Sequence, residues 1–82
     1  MTENKIIQVI KSLVRQKPIL QDIADDEEFF DFGASSLTIV DLQIQVEKEL
    51  GIEVDSSKLM ATPTINGWVT AYSDRVAGTA KC

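Results

Sequence analysis

Two adjacent serines, Ser35 and Ser36, stand between Phe32-Gly33-Ala34 and Leu37, where a loop passes into a run with helical periodicity. A hydroxyl at such a junction has two uses. It can cap the helix by accepting a hydrogen bond from a first-turn amide, and either serine can hold that position. It can also carry a covalent group: a helix N-terminus offers unpaired N–H groups and the positive end of the dipole, which suit a phosphodiester. Gly33 and Ala34 leave little bulk around the oxygen, so a modifying enzyme can reach it. What the hydroxyl cannot be is a self-activated nucleophile. The chain has no histidine and one cysteine, Cys82, its last residue. Neither a Ser-His or Cys-His dyad, nor a zinc site, nor an internal disulfide can be assembled from that set. A thiol at the very end, with no basic partner, reads as incidental. There is also no glycine-rich phosphate loop, so an independent enzyme function has little support and Ser36 needs an outside enzyme to activate it.

The elements that position this serine follow from the spacing of apolar residues. The first helix is predicted over about Glu3 to Arg15, with Ile6, Val9, Ile10, Leu13 and Val14 on one stripe and Lys5, Gln8, Lys11, Ser12 and Arg15 on the other side. Pro18 ends it. A long connection runs from Lys17 to Ala34, acidic at Asp25-Asp26-Glu27-Glu28 and then aromatic. A loop of this length in a small domain needs pinning, and at least one of Phe29, Phe30 and Phe32 is expected to plug into the interior. The second helix is predicted from Ser36 to Leu50, with Gly51 as its C-cap. A third, short helix spans Ser56 or Ser57 to about Met60. Thr62-Pro63-Thr64 resets the chain, and Thr64 caps a last helix from Ile65 to Val76. Its buried face is Ile65, Trp68, Val69, Tyr72 and Val76. Nothing alternates convincingly as a strand. The expected fold is all-α: a small four-helix bundle of three long helices and one short one, with a long first loop. It forms one domain over 1–82, its ordered core at about 3–76 and a tail at 77–82.

Composition agrees with a small globular domain: 82 residues, 44% hydrophobic and 26% charged. No apolar run is long enough for a membrane span, and Met1-Thr2-Glu3-Asn4-Lys5 lacks the apolar block of a signal peptide, so the expected setting is cytoplasmic. The net charge of −5 matters less than its distribution. Eleven acids lie between Asp22 and Asp55 against one base, Lys48, while the first seventeen residues hold Lys5, Lys11, Arg15 and Lys17 against Glu3. An acidic middle repels nucleic acid and anionic membranes and suits a protein partner with a basic docking face.

The second helix carries two apolar lines. With Ser36 at zero and about 100° per residue, Ile39, Leu42, Val46 and Leu50 form the core stripe. Leu37, Val40 and Ile44 lie on a different side, flanked by Asp41, Glu47 and Lys48. A helix that only completes a bundle needs one stripe. The second is either part of a wide buried face or a docking strip rimmed by carboxylates.

The segment Asp31-Phe32-Gly33-Ala34-Ser35-Ser36-Leu37, continued by Thr38-Ile39-Val40-Asp41-Leu42, resembles the phosphopantetheine attachment motif of acyl and peptidyl carrier proteins. The resemblance extends over about residues 4 to 76 through helix order, the long first loop and Thr62-Pro63-Thr64-Ile65. It implies a 4′-phosphopantetheine on Ser36, the serine directly followed by leucine, added from coenzyme A by a phosphopantetheinyl transferase. Acyl or aminoacyl groups then ride on the arm as thioesters. It further implies a carrier, monomeric and not itself an enzyme, serving acyltransferase, ketosynthase or adenylating and ligase enzymes with basic docking faces. By position, Leu37, Val40, Asp41, Ile44 and Glu47 match the residues through which such carriers meet their enzymes, with Met60 and Ala61 completing that surface.

Two positions depart from the fatty-acid carriers. Ser35 stands where aspartate is usual, and Thr38 where an acid is common. The Thr62-Pro63-Thr64-Ile65 segment is closer to carrier domains of polyketide and non-ribosomal peptide systems, so a dedicated biosynthetic pathway is expected. A primary fatty-acid carrier and a D-alanyl-type carrier are the nearest alternatives. An adaptor bundle in which Ser36 is only a cap is the alternative of another class. A sheltering of the acyl chain among Val40, Leu42, Val46 and Trp68 is a further expectation.

Overall fold

Ile6, Ile10 and Val14 recur every four residues, and a side chain repeated at that spacing must return to one side of a helix. In the computed structural model, which describes residues 3–80 (77–80 as backbone only), these three form the fully buried side of α1, Glu3–Arg15. Val9 and Leu13 flank them, half-buried against the same core. α2 is Ser36–Leu50, α3 is Ser56–Ala61 and α4 is Ile65–Ala80. Among the described residues there is no strand, and the chain is an all-α, four-helix bundle. α1 packs on both α2 and α4, while the short α3 bridges α2 and α4.

The core stripe of α2 is Ile39, Leu42, Val46 and Leu50; that of α4 is Ile65, Trp68 and Tyr72. Trp68 sits at the centre. Its indole Nε1–H donates to the Leu59 carbonyl at 3.1 Å, so the largest apolar side chain also holds α3 in place. α4 runs four residues beyond Val76, where the apolar repeat stops, through Ala77-Gly78-Thr79-Ala80, where no proline interrupts it. Met1, Thr2, Lys81 and Cys82 lie outside the described residues.

The long first connection is built from two 3₁₀ turns, Pro18–Leu20 and Phe29–Phe32, in contact with each other. Leu20, Ile23 and Phe29 are its buried anchors. Of the three phenylalanines, Phe29 is the plug: its ring meets Trp68 edge-on at 5.4 Å and 77°. Phe32 is half-buried and Phe30 exposed. Two backbone bonds stitch the loop to the head of α4, Phe29 N–H to the Pro63 carbonyl at 2.7 Å and Asn66 N–H to the Asp25 carbonyl at 3.0 Å. Gly33 closes the second turn at φ +92°, a left-handed conformation that a side chain disfavours.

At the start of α4, the Thr64 hydroxyl accepts from Gly67 N–H at 2.9 Å, the expected cap. A Cβ at Gly67 would fall 2.5 Å from the Thr62 carbonyl oxygen, so this turn of helix needs the absence of a side chain. No helix among the described residues is long and apolar enough to cross a membrane.

Candidate functional site

Both serines keep to the loop–helix boundary, and their backbone decides their roles. Ser35 is extended, φ −99° and ψ 172°, which is the geometry of a residue just outside a helix. Its hydroxyl oxygen accepts from Thr38 N–H at 3.3 Å and lies 3.4 Å from the Thr38 hydroxyl. Its carbonyl takes the first helical bond, from Ile39 N–H at 3.1 Å. Ser35 is therefore the cap, and Ser36 is the first helical residue, exposed. Among the described residues the Ser36 hydroxyl has no hydrogen-bond partner. The N–H groups of Ser36 and Leu37 belong to the first turn, where no intrahelical acceptor exists. An exposed hydroxyl oxygen thus stands beside two free donors at the positive end of a fifteen-residue helix.

The surface beyond Ser36 is apolar. Leu37 is 81% exposed, Ile44 60% and Val40 38%, and the three occupy one side of α2 away from the core. Met60 at the end of α3 is half-buried and Ala61 exposed. The two acids expected on this side take different positions. Asp41 is exposed, but its carboxylate accepts from the Lys17 ammonium and, at 3.0 Å, from the Gln45 amide. The Lys17 bond foremost, then that of Gln45, hold the Asp41 carboxyl below the usual carboxylate range.

Glu47 turns inward. Its Oε2 accepts from Val54 N–H at 2.9 Å, Gln43 Nε2 at 3.2 Å and the Tyr72 hydroxyl at 3.2 Å. Gln43, buried on the same helix, also donates to the Val54 carbonyl at 2.9 Å and accepts from the Ser56 hydroxyl at 2.7 Å. This network fastens the α2–α3 loop to α2 and α4. Burial first, and the nearby Glu47 carboxylate second, push the Tyr72 phenol above its ordinary range. Neither the network nor the Lys17–Asp41 pair is announced by periodicity, since each joins residues far apart in the chain.

Comparison with known proteins places this geometry. The family model for the phosphopantetheine attachment site matches residues 4–72, which spans α1 through the first half of α4. The chain belongs to the phosphopantetheine-attachment family. It is similar to the acyl carrier protein of Thermotoga maritima, 30% identical over 80 residues, covering 94% of this chain and 98% of that one. It is also similar to aminoacyl carrier protein 2 of Bradyrhizobium diazoefficiens, 30% identical over 50 residues, covering 61% of this chain and 56% of that one. No solved structure matches it significantly. As a carrier protein it belongs to a family that is not catalytic, and its covalent group is 4′-phosphopantetheine. The head of α2 fits such a group: one exposed hydroxyl without a partner, small neighbours before it and free amides to face a phosphodiester. Among the described residues no cluster of three or more acids or cysteines is placed to hold a metal.

Proposed function

We propose that Ser36 is the attachment point, and that this carrier presents thioester-bound intermediates to partner enzymes in a dedicated pathway of the polyketide or non-ribosomal peptide type. The observation that carries the first half is the division of labour between the serines. Ser35 satisfies the helix end, which releases the Ser36 hydroxyl from any structural duty. The group, once attached, supplies a flexible arm ending in a thiol that holds the cargo. The chain's own contribution is to fix where the arm is rooted and to dock beside the next active site. Tethering makes the encounter of cargo and enzyme effectively intramolecular. Docking must release quickly, and a small exposed strip at Leu37, Val40 and Ile44, with Met60 and Ala61 beside it, suits brief contacts.

The pathway reading is supported by Ser35 and Thr38, which leave the first turn of α2 without an acid. A likeness to an aminoacyl carrier protein points the same way. The near full-length likeness to an acyl carrier protein favours a second reading, a primary fatty-acid carrier. Incubation with coenzyme A and a broad-range phosphopantetheinyl transferase tests the attachment. Intact mass should rise by one phosphopantetheine group in the wild type and in Ser35→Ala, and stay unchanged in Ser36→Ala. An adduct retained by Ser36→Ala would defeat the assignment. Loading of the holo form by an adenylating enzyme would support the non-ribosomal peptide type, whereas loading by a malonyl transferase fits a polyketide or a fatty-acid carrier.

A further inference from the structure

The chain is acidic overall, with thirteen acids against eight bases, yet the exposed strip of α2 is not. The charges that face it can be counted element by element. From α2 itself come Asp41 and Lys48, both exposed. From the exit of α1 comes Lys17, whose ammonium is bound to the Asp41 carboxylate. Glu47, on the same helix, spends one oxygen on three donors inside the fold. At the far end, beyond Ile44, the groove is lined by Glu53 from the α2–α3 loop and Arg75 from α4, one charge of each sign.

We infer that Lys17 is a specificity-determining residue of this carrier: by neutralising Asp41 at the edge of the Leu37–Val40–Ile44 strip, it selects partner enzymes whose docking pocket is apolar and lacks a cationic residue opposite Asp41. The inference rests on Ser36 being the attachment point and on α2 being the docking face. Its physical basis is competition. A partner's lysine or arginine approaching Asp41 meets an acid already paired within the chain and a second cation beside it. Such a partner must displace Lys17 to gain anything, whereas an uncharged apolar pocket meets no penalty. Lys17 is well placed to hold the pair, its side chain 29% exposed against 49% for Asp41.

The test is a charge cycle read with a phosphopantetheinyl transferase that has a basic docking face. Rates of modification of the full chain, as kcat/KM, are compared for wild type, Lys17→Met, Asp41→Asn and the double variant. Removing the lysine exposes the acid and should raise the rate about threefold at low salt, a size set by the modest worth of rim charges. Removing the acid leaves an uncompensated cation and should lower the rate by about as much. The double variant should return to the wild-type rate. Lys17→Arg, which keeps the cation, should match the wild type, and far-UV melting confirms that each variant is folded. A flat response to Lys17→Met, with the double variant as slow as Asp41→Asn, would mean that Asp41 meets partners unmasked and would overturn the inference. A wild-type chain left unmodified would instead overturn the carrier reading and this inference with it.

Discussion

Ser35 and Ser36 have the same side chain but only Ser35 caps the helix, and the difference lies in one pair of backbone angles. The extended backbone of Ser35 lets its oxygen reach Thr38 N–H, while Ser36, already helical, cannot reach back. Loss of a serine cap costs about 1 kcal/mol, and in a domain of this size that lowers Tm by about 4–8 °C. Ser35→Ala should therefore melt several degrees lower yet remain modifiable, while Ser36→Ala should melt close to the wild type and not be modified. Differential scanning calorimetry paired with intact mass checks both. Equal melting of the two variants would mean that the cap is shared. Leu37 after the second serine, and the small Gly33 and Ala34 before the pair, made the candidate site legible from the chain. Which serine caps was not, because residue type allows either and only the path of the chain decides.

At the scale of elements, helix boundaries were legible because apolar residues at three-four spacing end where Gly51, Pro63 or Pro18 interrupts them. Leu20 and Ile23 escaped notice, since two short 3₁₀ turns carry no sustained period. Glu47 escaped for another reason. An acid on an amphipathic helix reads as solvated, and nothing local shows that Val54 and Tyr72 come to meet it. The inward carboxylate leads to a stability prediction. Glu47→Ala strips acceptors from a backbone amide and a phenol and should cost about 2–3 kcal/mol, against about 1 for Tyr72→Phe, which removes only one donor. Urea midpoints of the two variants would show the order. A pH effect follows from the same contact. Because the folded state raises the Tyr72 pKa, it favours the neutral phenol. That stability is complete below the ordinary tyrosine value near 10 and is lost as the pH climbs toward the higher folded value. The difference in Tm between wild type and Tyr72→Phe should thus shrink above about pH 10 and be constant from pH 6 to 9. A difference that does not change between pH 9 and 11 would contradict it.

For the whole molecule, the decisive connection is between the first loop and α4, because the second turn of that loop leads through Gly33 and Ala34 into Ser36. Phe29 is fully buried against Trp68, and the loop's own backbone completes the head of α4. Asn66 N–H lies in the first turn of α4 and would be orphaned without the Asp25 carbonyl; the Pro63 carbonyl before that helix receives Phe29 N–H. A loop bonded in this way opens only when the bundle opens. In native-state hydrogen exchange, the Phe29 and Asn66 amides should be protected to the level of Ile10, at the middle of α1, rather than to the low level of a surface connection. Phe29→Leu keeps an apolar plug but loses ring contact with the indole. It should lower global stability by about 1–2 kcal/mol, and all three amides should lose protection together. Phe29→Ala, at about 3–5 kcal/mol, would remove a large share of the roughly 5–15 kcal/mol typical of a domain, and the same three amides should exchange faster still. Exchange at positions 29 and 66 hundreds of times faster than at Ile10 in the wild type would show that the loop opens by itself. Ser36 would then be anchored through α2 alone.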